Sequence, residues 1–145
     1  MIGSYVFFWG QKQERTPTWF GLLLESGEVT EAVDVMHFAW SGRWPANRTP
    51  RVHALRLDGR EARDSVVLLA GTAYEAALDV VDPDGDPLRY RWEVKRESEA
   101  TQAGGDFESP IRSIGGLLGD RAASATTLTV RKPGRYRLFA YAFDD

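Results

Sequence analysis

The chain contains no cysteine. That excludes a disulfide framework, a thiolate metal site and a cysteine nucleophile. It has two histidines, His37 and His53, in separate segments; a histidine-based metal site or relay needs more members. No stretch approaches the roughly 18 apolar residues of a membrane span. Positive charge is not in excess: 18 Lys and Arg stand against 21 Asp and Glu, for a net charge of -3. No basic block occurs, so neither nucleic acid nor a membrane is an expected partner. Residues 2–9 are apolar but lack a basic flank and a small-residue cleavage site, and they run into Gln11, Lys12, Gln13 and Glu14. They do not read as a signal peptide. Ser4, Ser26 and Ser41 lie in no nucleophile-elbow pattern. Gly104-Gly105 and Gly115-Gly116 lack the Lys-Ser/Thr and the strand–helix frame of a phosphate loop.

What is present describes a globular chain. Of 145 residues, 43% are hydrophobic and 27% charged, which fits one domain or a small domain with a fragment attached. Four of the five tryptophans, Trp9, Trp19, Trp40 and Trp44, fall in the first 44 residues.

The clearest pattern is Asp82-Pro83-Asp84-Gly85-Asp86-Pro87, an acidic Pro/Gly turn between two strand-like runs. In the run after it, Leu88, Tyr90, Trp92 and Val94 alternate with Arg89, Arg91, Glu93 and Lys95. That is a strand with one buried and one wet face. In chain order, residues 3–10 form a continuous apolar run, expected as a strand buried on both faces. A polar loop and a second apolar run, 18–24, follow. Thr30 is a helix N-cap, without the Glu of a full capping box, for a helix over about 31–40 ended by Ser41-Gly42. Residues 45–51, with Pro45 and Pro50, read as a linker. Strands are then expected at 52–57, 65–69, 74–81, 88–95, 126–130 and 135–143, six in all and spaced like a β-sandwich. Residues 110–118 are expected to hold a short helical turn. On the last strand Tyr136, two residues after Pro133-Gly134, has the spacing of a tyrosine corner. Phe139, Tyr141 and Phe143 share its other face and call for a cover, which makes them a candidate interface.

Residues 74–94 and 133–145, carrying Asp82-Pro83-Asp84-Gly85-Asp86-Pro87-Leu88-x-Tyr90-x-Trp92 and Pro133-Gly134-x-Tyr136-x-Leu138, resemble a PKD-type or cadherin-like immunoglobulin fold. The departure comes after Trp92, where Glu93-Val94-Lys95 replaces the Asp-Phe-Gly-Asp-Gly usual in PKD domains. Residues 3–45, with Gly3-Ser4-Tyr5-Val6-Phe7-Phe8-Trp9-Gly10-Gln11-Lys12 and Thr16-Pro17-Thr18-Trp19-Phe20-Gly21, resemble the last βα unit of a TIM-barrel glycoside hydrolase of the family 2-like and family 5-like clan. Together the two resemblances imply a piece of a larger carbohydrate-active protein, with a parent expected to be secreted or periplasmic. The fold expectation is a mainly β chain: residues 1–44 a strand–loop–helix unit, 45–51 a linker, and 52–145 an immunoglobulin-like, PKD-type β-sandwich lacking its last strand.

Chemistry follows from these placements. A retaining glycosidase needs two carboxylates about 5 Å apart; Glu14 is one loop carboxylate without a partner, and no catalytic residue is assigned. In a barrel reading Trp9, Gln11, Lys12 and Trp19 sit where substrate is held. Trp9 would then be a platform for a sugar ring, with Gln11 and Lys12 bonding hydroxyls; the other reading of these aromatics is packing. Asp82, Asp84 and Asp86 alternate carboxylates around a glycine and form a candidate calcium site, since Ca²⁺ takes about six to eight oxygen ligands. Asp144 and Asp145 are expected at the same pole. The same six residues also make a plain turn. The functional expectation is a non-catalytic accessory portion of a glycoside hydrolase-like protein, with carbohydrate as its partner. The alternative is a free-standing sandwich that binds glycan or protein, calcium-stabilised, with a homodimer through an unpaired edge strand.

Overall fold

The computed structural model describes residues 3–101 and 106–144. The chain divides into two compact units, Met1–Thr49 with Ser98–Pro110, and Pro50–Glu97 with Ile111–Asp145. The division falls inside the expected linker. The loop Ser98–Pro110 groups with the front unit and not with the sandwich. The structure is mainly β, with two antiparallel sheets and one α-helix among the described residues. No described helix is long and apolar enough to cross a membrane.

In the front unit, α1 spans Glu31–Ser41 and ends on Gly42, whose left-handed φ of 73° glycine tolerates without strain. Thr30 has the extended backbone of an N-cap but makes no side-chain cap. Its hydroxyl instead donates to the carbonyls of Gly21 and Leu22. Asp34, buried in the first turn, accepts the amide and the hydroxyl of Thr49 at 2.7 and 2.8 Å. Residues 3–10 are not a strand, contrary to their apolar reading: Tyr5 is 98% and Phe7 88% exposed. A strand exists only in a ladder; the Gly10 carbonyl accepts the Leu23 amide, but among the described residues no ladder forms here. Residues 18–24 are turns, with one isolated bridge between Leu23 and Val29.

The second unit holds the sheets. One has the order β2-β1-β3-β5, from β1 Arg51–Leu57, β2 Arg60–Glu61, β3 Ala73–Val81 and β5 Ala125–Thr129. The other pairs β4, Leu88–Arg96, with β6, Tyr136–Asp144. The arrangement is that of a β-sandwich. Trp92 is the centre of the core, 0% exposed, packed with Ala76 and Leu78 of β3. Its indole N–H donates to the Ala123 carbonyl at 2.8 Å, so the buried polar handle is satisfied. Tyr136 donates its hydroxyl to the Lys132 carbonyl at 2.9 Å, the bond a tyrosine corner makes.

Two expected elements are absent. Residues 65–69 form no strand: Ser65 takes a left-handed φ of 49°, the Leu69 amide donates to the Tyr74 hydroxyl at 3.0 Å, and the two-residue β2 takes their place in the count of six. Residues 110–118 contain a turn and an isolated bridge from Leu118 to Leu128 in place of a helical turn.

Candidate functional site

The acidic turn is built around Asp82. Its Oδ1 accepts the amides of Asp84 and Asp86, each at 2.9 Å, and Gly85 takes a φ of 85° to close the loop. Asp82 is buried and its Oδ2 makes no hydrogen bond. Asp84 is exposed and Asp86 half-buried. Among the described residues no three His, Asp or Glu side chains converge in a group able to hold a metal ion. Asp82, Asp84 and Asp86 are therefore joined through backbone amides and not as a cage of carboxylates. Asp144 pairs in register with Leu88, at the turn's end of the sandwich; Asp145 lies outside the described residues.

The front-unit candidates are dispersed. Gln11 donates its side-chain amide to the Pro17 carbonyl, and Lys12 pairs with Glu14 at 3.0 Å. Trp9 is 58% and Trp19 66% exposed. Trp19 adjoins Phe20, and Phe20 adjoins Phe7, with ring centroids 6.2 and 5.7 Å apart. Trp9 joins none of these ring pairs. Gln11 and Lys12 thus have protein partners, and the two tryptophans present open rings.

A second polar centre in this unit carries no sequence signature. Glu108 accepts the Ser98 hydroxyl at 2.6 Å, the Arg15 amide at 2.8 Å and the Gln13 side-chain amide at 3.4 Å. The Ser98 bond, then the Arg15 amide, hold its carboxyl below the usual carboxylate range. Glu108 is 93 residues from Arg15 in the chain, which is why no local pattern points to it.

The third candidate surface is the outer face of β4–β6. Phe139, Tyr141 and Phe143 form a row with centroids 6.4 and 6.3 Å apart and nearly parallel rings. The register sets Arg91 opposite Tyr141, and Arg89 opposite Phe143. Arg91 lies over Tyr141 at 4.5 Å and over Phe143 at 5.1 Å, and Lys95 over Phe139 at 5.6 Å. Charge over the negative ring faces makes this a cation–aromatic ladder. The alternation of β4 and β6 shows both halves of it, but only the register joins them.

Inside the same unit, a cavity of about 350 Å³ lies where β6 begins. Leu57, Val66, Leu68, Leu128, Tyr136 and Leu138 line it. Leu69, which also lines it, is 76% exposed, and Val67 is 82% exposed. The cavity is lined mainly by apolar side chains, with Thr72 and Lys132 among them.

No protein-family model matches the chain, and no curated protein matches it at a significant level.

Proposed function

We propose that the chain is a non-catalytic binding portion of a carbohydrate-active protein, with a PKD-like, immunoglobulin-type sandwich as its accessory module. The observation that carries this reading is the pair of open indoles, Trp9 and Trp19, in a unit whose apolar side chains are mostly outside. A sugar ring presents an apolar face to such a ring, and the exposed indole supplies area at little conformational cost. Gln11, whose side-chain amide donates to Pro17, and the Lys12–Glu14 pair stand in the same loop, where a sugar hydroxyl would share or displace those bonds. Titration of the chain with soluble polysaccharides, followed by tryptophan fluorescence and affinity electrophoresis, tests the proposal. Retardation by one polysaccharide class, weakened about tenfold or more in Trp9→Ala or Trp19→Ala, supports it. Equal mobility with and without every polysaccharide sinks it.

A further inference from the structure

The two sheets of the sandwich do not match in width. The larger sheet has three strands of five residues or more, and the smaller has two. The unopposed strand is identified by burial. On β3 the inward residues are Ala76, Leu78 and Val80. Their partners on β1 are Leu57, Leu55 and Val52, which therefore share the inward face. A register shift between Val52 and Ala54 takes up His53 as the extra residue. Ala76 and Leu78 are buried, whereas Leu55 and Leu57 are half-buried and Val52 is 49% exposed. Across the larger sheet, β5 is covered, with Thr126 and Leu128 buried. Cover fails on the β1 side alone.

The edge of β6 fits that gap. The Glu97 amide bonds the Arg135 carbonyl, and 97 and 135 continue the β4–β6 register. Residues 137, 139, 141 and 143 therefore turn their amides and carbonyls to β4. Leu138, Ala140 and Ala142 turn theirs outward, where no strand lies among the described residues. The opposite border of the small sheet shows the same parity in use: the outward carbonyls of Trp92 and Val94 accept Arg121 Nε and the Ile114 amide. A row of outward backbone groups and a half-covered apolar face on β1 thus lie in one unit with the cavity of about 350 Å³, which Leu57 of β1, Leu138 of β6 and the chain's own Val66, Leu68 and Leu69 line.

We propose that this slot receives one extended segment of a partner polypeptide, paired with β6 antiparallel. Its alternate side chains are apolar and cover β1, filling the cavity beside Leu57; its end is acidic where it passes Arg131, Lys132 and Arg135. Those three exposed cations surround the start of β6, where the C-terminal end of an antiparallel strand arrives. Backbone bonds supply affinity and the alternate pockets supply specificity. A second folded copy is the poorer occupant. Its own β6 carries β3 on its inner face, and the slot beneath β1 is one strand wide. This inference does not depend on the carbohydrate reading.

The test uses the full chain and the synthetic peptide Thr-Val-Thr-Val-Thr-Ile-Thr-Val-Glu. Amide exchange by NMR is read at Leu138, Ala140 and Ala142, with light scattering alongside. Fast exchange in the free chain, slowed at least about tenfold by the peptide at one-to-one stoichiometry, is the expected result. Two changed peptides keep the test independent of protein folding. One is N-methylated on the amides that face β6, and the other has Lys at the inward positions; each is expected to bind about tenfold or more weakly. Three outcomes overturn the proposal. One is no slowing at saturating peptide. Another is slow exchange at these amides in the free monomer. The last is protection that appears with protein concentration and a dimer mass, which assigns the slot to a second copy.

Discussion

In the sandwich the most deeply buried side chains are apolar: Ala76, Trp92 and Val94. In the front unit Gln13, Thr16, Asp34 and Ser98 are buried with Pro17 and Leu22, while Tyr5, Phe7, Trp9 and Trp19 are outside. The sandwich is held by burial, which is non-directional and grows with area. The front unit is held by hydrogen bonds donated to a few carboxylates, which are directional and costly to leave unmade. One unit thus tolerates changes that preserve volume; the other tolerates changes that preserve donors and acceptors.

The largest expected effect comes from removing the centre of the apolar unit. Trp92→Ala leaves a cavity and an orphaned Ala123 carbonyl, and should cost about 3–5 kcal/mol. Urea unfolding followed by far-UV circular dichroism measures it; a loss below about 1 kcal/mol would break the contrast between the units. Next comes Asp34→Ala. It strips the Thr49 amide and hydroxyl of their acceptor, with an expected local cost of about 1–3 kcal/mol. Faster amide exchange at Thr49 and faster proteolysis within residues 42–50, with the sandwich transition unmoved, is the outcome that sharpens the comparison. The smallest effect is the acid response of Glu108. Its carboxyl is held low in the folded chain by Ser98 and the Arg15 amide. The stabilisation is therefore fully present above the unfolded carboxylate value and is lost as pH falls through the lower folded value. Protection of the Arg15 amide, its exchange rate taken relative to the intrinsic rate at each pH, should fall on acidification through that window, and Glu108→Gln should remove the dependence. A response in the variant equal to that of the parent would assign the acid sensitivity to another group.

Much of the sandwich was legible because its signals are local. The alternation over residues 88–95 gives the two faces of β4, and Asp82 to Pro87 reads directly as the turn before it. The helix and its glycine stop are equally local. Residues 3–10 and 65–69 misled for a shared reason. Their composition suits a strand, but a ladder is a property of two segments, and neither has a second among the described residues. The same limit hid the candidate sites. Glu108 gathers partners from far along the chain. The gap beside β6 is a difference between two strand counts, visible only once the sheets are assembled. The aromatic row on β6 could be read from alternation; the arginines above it depend on the register with β4.

The bonds that Arg121 and Ile114 make to Trp92 and Val94 have a consequence for stoichiometry. A sheet with two open borders can polymerise, because every added strand offers a fresh border to the next. Here the border at β4 is occupied by the chain's own loop, so the small sheet can lengthen in one direction only. Were two copies to meet border to border at β6, neither would have a second border to offer a third. The loop from Ile111 to Arg121 therefore limits edge-to-edge growth of copies, which turns an edge of the kind that seeds fibres into a site that saturates.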